Sequence, residues 1–262
     1  MKTNHLRELL NKGLPSLATR IESTWPIIVE MVGASGLYDY VEFVAEYSPY
    51  TQFDLENIVR AAELSNMSSM IKVDFQNRAY AAQKAMASGF QALNMTDHKT
   101  PADVRETLYV IRPDTPQDNG RFGYPNRRWI GFKPYEPQME YAKMVRETVL
   151  MVMIEKTEAM ENIEAICGID GVDMLQFGPS DYSMSHGWNF AEHTDEVRAV
   201  EREMIQVALS NGVQPRAEIG SFKDAEYYLK LGARHFCLGD ELRNNLNFWQ
   251  MQGKELRAML QP

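Results

Sequence analysis

Two stretches decide the fold: Leu150-Met151-Val152-Met153-Ile154-Glu155-Lys156-Thr157-Glu158 and Met174-Leu175-Gln176-Phe177-Gly178-Pro179-Ser180-Asp181-Tyr182-Ser183. Each opens on an apolar run of strand length, as a strand buried on both faces requires. Each run is followed by a turn that carries a carboxylate, which the core expels. A helical pattern, Thr157–Ile166, separates the two runs. Strand, helix and strand in this order make a parallel unit in which both acids emerge at the same ends of their strands. Glu155 and Asp181, 26 residues apart, can therefore converge on one hard divalent cation.

The same alternation extends in both directions. Strands are expected at Leu17–Ile21, Tyr40–Ala45, Met70–Val73, Ala92–Met95, Leu150–Ile154, Met174–Phe177, Gln214–Ile219 and Arg234–Leu238. Helices are expected at Pro26–Ala34, Asp54–Leu64, Gln76–Ala87, Ala102–Ile111, Thr157–Ile166, Asp195–Asn211, Lys223–Leu231 and Glu241–Leu260. Asp54 reads as a helix cap, Pro26 as a first-turn residue, and Thr100 as a cap before an acidic first turn. Gly89, Gly212 and Gly232 stand where helices stop. Eight strands alternating with eight helices predict a single-domain (β/α)8 TIM barrel over residues 1–262. The rival, an open doubly wound sheet, is weakened as a dinucleotide binder because no GxGxxG follows an early strand. One interruption, RPDTPQDNGRFGYPNRRWIGFKPYEP at 112–137, is long enough to be functional. It reads either as a structural or oligomer contact on the N-terminal side of the barrel, or as a lid that folds back.

A formal charge of −9 gives the chain no basic face for nucleic acid. Cys167 and Cys237 are too few for a disulfide framework and read as small core residues. No apolar run reaches membrane-spanning length and the N-terminus lacks a signal-peptide core, so a cytoplasmic location is expected. Two carboxylates with open water positions suit Mg²⁺ or Mn²⁺ better than zinc, which prefers His and Cys. Such a site accepts a 2-oxo acid through its carboxylate and keto oxygens, with the metal as Lewis acid.

The segment IEKTEAMENIEAICGIDGVDMLQFGPSDYSMSHG resembles the signature of the HpcH/HpaI aldolases, class II pyruvate aldolases of the phosphoenolpyruvate/pyruvate-domain superfamily: an acid-headed helix, then PGVD, then GPSDLSxSxG. Leu37-Tyr38-Asp39-Tyr40-Val41, Asp54–Ala62 and Ala87–Ala92 resemble the family's GFDxV strand, next helix and AGAxG turn. The resemblance covers nearly the whole chain and is weakest at 112–137. It implies a (β/α)8 barrel, a trimer or hexamer with the C-terminal helix packed on a neighbouring subunit, and Glu155 and Asp181 as metal ligands. It implies cleavage of a 4-hydroxy-2-oxo acid to pyruvate and an aldehyde through a metal-bound enolate. The backbone N–H groups in the stretch Gly178-Pro179-Ser180 are expected to face the substrate carboxylate.

The pocket departs from the family. In place of DGEH, whose His serves as base and is oriented by the Asp, stands Val44-Ala45-Glu46-Tyr47. In place of the Arg of VRVP stands Lys72, which keeps the charge and loses the fork. The fourth strand ends in Thr96-Asp97-His98 where the family has PMV. Tyr47 lies 25 residues before Lys72, matching the family's His-to-Arg interval. Tyr47, Lys72 and His98 are thus the candidate catalytic residues and Arg20 a candidate for a second substrate carboxylate. Glu46 is expected at metal waters or at Lys72, and a Schiff base on Lys72 is a further option. Each has a bland alternative: Tyr47 packing on substrate, His98 on a surface loop, Arg20 in an intersubunit salt bridge. Three functions fit: an aldolase on 2-oxo acids; other enolate chemistry such as oxaloacetate decarboxylation or condensation, which needs no base; and a catalytically weak metal-binding homo-oligomer.

Overall fold

The computed structural model describes residues 3–128, 132 and 137–260. Eight parallel strands close into a barrel in chain order: β1 Ser16–Ile21, β2 Tyr40–Val44, β3 Ser68–Val73, β4 Ala92–Met95, β5 Val149–Ile154, β6 Met174–Phe177, β7 Gln214–Ile219 and β8 His235–Asp240. Helices α1 His5–Asn11, α2 Pro26–Ala34, α3 Gln52–Leu64, α4 Arg78–Ser88, α5 Pro101–Ile111, α6 Gln138–Arg146, α7 Thr157–Glu161, α8 Ile163–Cys167, α9 Pro179–His186, α10 Thr194–Ser210, α11 Ala225–Leu231 and α12 Glu241–Met259 surround it. This is a single-domain (β/α)8 TIM barrel. No helix of the described residues is long and apolar enough to cross a membrane.

Three helices, α1, α6 and α9, have no counterpart in the expected pattern, and the helix expected over 157–166 breaks at Asn162 into two short ones. Asp54 is not the cap of α3. Thr51 caps it, and Asp54, three residues on, closes a reciprocal capping box. The same box forms between Thr100 and Asp103 at α5. Gly89 and Gly232 end α4 and α11 in the left-handed conformation, φ 113° and 96°.

Strand alternation sorts the core into two compartments. One apolar cluster lies between strands and helices; the other fills the barrel, where Leu6 of α1 meets Ala18, Tyr40, Met70, Ala92, Met151 and Met174. Two residues further along the strands the inward positions turn polar: Arg20 after Ala18, Glu42 after Tyr40, Lys72 after Met70, Asn94 after Ala92, Gln176 after Met174. The barrel therefore has an apolar base and a charged upper layer beneath its C-terminal mouth.

The segment 112–128 leaves α5 on the N-terminal side, where the Arg112 guanidinium donates to the carbonyls of Arg146, Thr148 and Gly171. It then follows the outer helical layer. Phe122 is buried, and Arg127 and Arg128 pair with Glu56 and Glu63 of α3. These residues lie on the flank of the barrel and not across its mouth. Positions 129–131 and 133–136 of the same loop fall outside the described residues. Helix α12 contains no buried side chain, and Leu242, Leu246, Phe248 and Trp249 are all more than half exposed.

Candidate active site at the barrel mouth

Glu155 directly follows β5 and is 1% exposed. Its Oε1 accepts the Asp97 backbone N–H at 2.7 Å, while its buried Oε2 has no hydrogen-bond partner. Burial pushes the Glu155 carboxyl up to about 7, against the pull of Lys72 and of the Asp97 N–H; Asp97 and Asp181 push it further. Asp97 itself sits at φ 60°, so the turn that presents its N–H is held in the left-handed region.

Gly178 makes room for this carboxylate. A Cβ there would lie 2.8 Å from Glu155 Cβ, 2.9 Å from its Oε2 and 3.1 Å from Met153 Cε. The φ at Gly178 is −109°, so contact, not backbone conformation, calls for glycine. Pro179 then starts α9 and Asp181 is its third residue, half-buried and without an ion pair among the described residues. The N–H groups expected to face the substrate are fewer than the motif implies. The Gly178 N–H donates to Ile154 O at 3.0 Å and Pro179 has none, which leaves Ser180 and the rest of the first turn of α9.

Lys72, 6% exposed, pairs with Glu46 at 2.6 Å. Burial alone would lower its pKa; Glu46 and Glu155 outweigh that and hold it protonated. Tyr47 is 73% exposed, and desolvation and the neighbouring Glu46 carboxylate raise its pKa. Arg20 meets Glu218 at 2.6 Å and keeps a buried Nε without a partner. His98 is elsewhere. It is fully buried, bonds the Thr107 hydroxyl of α5 through Nε2 at 2.8 Å, and packs edge-on against Phe75. Burial and Arg78 lower it to about 4, so the ring is neutral near pH 7, and it is engaged with Thr107 and Phe75. Among the expected residues, then, Glu155, Gly178, Ser180, Asp181, Lys72, Tyr47 and Arg20 share the mouth.

Beneath them runs a polar chain that sequence patterning passed over. Asn94 donates to Glu42 at 3.4 Å, Glu42 pairs with Arg216, and the Arg216 Nε donates to Gln176 at 2.5 Å. Gln176 in turn donates to Glu218 at 2.9 Å, and Glu218 meets Arg20. Glu42 and Arg216 are both inaccessible to solvent. The signal was present: Glu42, Arg216 and Glu218 interrupt apolar strands at inward positions, where a charge must find a partner or a task.

A divalent cation fits the mouth. One bare buried carboxylate oxygen, a second carboxylate on the next strand's helix, and a glycine whose absent Cβ leaves the space free make a cation-seeking lip. Among the described residues no group of three or more His, Cys, Asp or Glu closes a full ligand set. The remaining positions fall to water and substrate oxygens, as suits a hard octahedral ion.

The fold and this mouth define a (β/α)8 barrel protein with an acid pair at the catalytic end of its strands. The family model for HpcH/HpaI aldolase/citrate lyase matches residues 22–244, and the chain belongs to that family. It is 23% identical over 236 residues to a 4-hydroxy-2-oxovalerate aldolase of Novosphingobium aromaticivorans, covering 90% of this chain and 88% of that one. It is 26% identical over 208 residues to a 2-keto-3-deoxy-L-rhamnonate aldolase of Klebsiella pneumoniae, covering 78% and 75%. Its fold is that of the HpcH/HpaI aldolase from Desulfitobacterium hafniense, TM-score 0.87 at 22% identity over 99% of this chain and 98% of that one. Curated relatives are thus aldolases acting on 2-oxo acids.

Proposed function

We propose that the chain is a divalent-metal-dependent carbon–carbon lyase acting on a 2-oxo acid, with Mg²⁺ or Mn²⁺ held by Glu155 and Asp181. The observation that carries the reading is the bare, buried Glu155 Oε2 beside the gap at Gly178. When bound, the metal supplies Lewis-acid stabilisation of the enolate charge. The chain's own groups do the rest. Ser180 N–H and the positive end of α9 bind the substrate carboxylate. The Lys72 ammonium, fixed by Glu46, donates to the developing oxyanion at C2. Arg20 holds a second carboxylate where the substrate has one. In cleavage the C4 hydroxyl passes its proton to solvent water, the C3–C4 bond breaks to give an aldehyde, and the electron pair of that bond forms the enolate. The enolate then takes a proton at C3 to give pyruvate.

Tyr47 favours a second reading for the same pocket. Its raised pKa, beside Glu46, suits a proton donor and not a base. With His98 packed away, decarboxylation of oxaloacetate or condensation from its enolate needs only what the mouth holds: cations to bind two carboxylates and a phenol to protonate C3. The third reading, a catalytically weak metal-binding protein, leaves the bound metal without a task. The apolar side chains of α12 support a homo-oligomer in which this helix packs on a neighbouring subunit.

The deciding experiment is methyl-proton exchange of pyruvate in D₂O with Mg²⁺ or Mn²⁺, alongside oxaloacetate decarboxylation, for the parent and Glu155→Ala. Metal-dependent turnover lost in the variant is expected. Exchange without decarboxylation selects the aldolase, and decarboxylation without exchange the second reading. Neither activity, with metal still bound, would leave only the weak binder.

A further inference from the structure

The buried stripe of α10 carries Val197, Met204, Ile205 and Ala208. Glu201 falls on the same stripe, four residues after Val197 and three before Met204. A carboxylate in the core face of a helix needs a partner. Its two oxygens share one donor, the Tyr228 hydroxyl of α11, at 3.2 and 3.1 Å, and it has no ion pair within 4.0 Å among the described residues. Burial raises it to about 7; the Tyr228 hydrogen bond and Arg198 pull it back and Glu218 pushes it up. It opens onto a cavity of about 510 Å³ walled by Phe177, Pro179, Phe190, Tyr227 and Tyr228.

We propose that this cavity is a second binding site, for a ligand bearing an ammonium group, with Glu201 as its counter-charge and the aromatic rings as its walls. The other acids around the space are committed. Glu218 is bound to Arg20 and Gln176, and Asp224 caps the turn at Ser221. Glu201, held only by the Tyr228 hydroxyl and ionised above about pH 7, gives this aromatic-lined space a single negative charge, which suits an organic cation. A divalent metal needs several oxygens and finds one carboxylate here. Arg198, exposed at the rim, leaves room for an anionic group on the same ligand. Pro179 belongs to both the cavity wall and the first turn of α9, so an occupant abuts the helix that carries Asp181. The proposal does not depend on the lyase reading.

The test is calorimetric titration of the full chain with choline and with its neutral isostere 3,3-dimethylbutan-1-ol. Saturable choline binding is expected, at least about tenfold tighter than the isostere and weakened at least about tenfold by Glu201→Gln. Tyr227→Leu, which removes one wall and no hydrogen bond, is expected to weaken choline as well. Glu155→Ala is expected to bind choline like the parent, which separates this cavity from the mouth. Equal binding of choline and isostere, parent-like affinity in Glu201→Gln, or no saturable choline binding would each overturn the proposal. Loss of choline binding in Glu155→Ala would overturn it too, by moving the cation to the mouth.

Discussion

Replacing Gly178 with Ala adds one methyl group at the point where β6 ends beside Glu155. Ordinary carbon contacts lie near 3.5–4.0 Å. The new Cβ would stand 2.8 Å from Glu155 Cβ and 2.9 Å from its Oε2. About 0.7 Å or more of separation must be found, and it cannot come from a flexible tip alone, because Glu155 Cβ is fixed to the end of β5. Met153 Cε at 3.1 Å is a flexible tip and can give way, so Glu155 Cβ is the contact that decides. Since the backbone at Gly178 suits any residue, the whole effect is displacement of Glu155 and of the first turn of α9. Overpacking of this kind costs about 1–3 kcal/mol of stability. A reacting group displaced by about 1 Å loses on the order of 100-fold in rate. Mn²⁺ affinity and pyruvate exchange are expected to fall by about that factor while the barrel still melts cooperatively. Gly123→Ala, where a Cβ meets nothing within 4 Å, serves as the control. Parent-level metal affinity and exchange in Gly178→Ala, with Gly123→Ala also unchanged, would refute the claim that this close approach builds the site.

Stability without metal should depend on pH. Glu155 is raised to about 7 in the fold against an ordinary value of 4.5, so between those values the folded chain holds a proton that the unfolded chain has lost. Folded stability therefore falls as pH rises through 4.5 towards 7 and levels off above, by at most about 3 kcal/mol for this group. Urea titrations should show that slope shrink in Glu155→Gln, and added Mn²⁺ should restore stability at the alkaline end; a parent-like slope in the variant would contradict the assignment. Arg216→Met strands Glu42 in the barrel and should cost about 3–5 kcal/mol in urea unfolding. The double variant with Glu42→Leu should recover most of that, and no recovery would show that the pair is not a unit. Trp249→Glu with Leu246→Glu on α12 should lower the mass seen in sedimentation, and an unchanged mass would remove α12 from the interface.

The strand pattern was legible because parallel barrel strands are buried on both faces: β4 and β6 have the expected bounds, and so does β7 although it carries Arg216 and Glu218. The position of Glu155 was legible because it directly follows the β5 run, whereas Asp181 stands in the first turn of α9 and not at the end of β6. What escaped has a physical cause in each case. Helix α9 hides behind Gly178-Pro179-Ser180, which reads as a turn because Pro and Gly dominate it, although Pro suits the first helical turn. Helix α1 has seven residues, too few for periodicity to declare itself. His98 looked like a strand-end base because its position in the chain places it there. Nothing local to it reveals that Thr107 and Phe75 draw the ring under α5. Glu42 and Arg216 are 174 residues apart, and only barrel closure brings them together.

That closure also bears on what the mouth can do. In the sequence, losing the family's His and Asp looks like losing the base and nothing else. In three dimensions the replacement is a cluster, in which Lys72 pairs with the Glu46 carboxylate and Tyr47 stands next to the same carboxylate. A carboxylate between a phenol and an ammonium keeps both of them protonated, since each would have to give up its proton beside a negative charge. Such a set enters the reaction protonated and gives a proton only to a site more basic than itself, such as an enolate carbon. Proton abstraction from a C4 hydroxyl is the step it serves worst, and proton delivery to an enolate carbon the step it serves best. Tyr47→Phe should therefore reduce decarboxylation of oxaloacetate more than it reduces binding of pyruvate, seen as a fall in kcat with KM nearly unchanged. A rise in KM at constant kcat would instead make Tyr47 a wall of the pocket and return the question of the proton to Lys72.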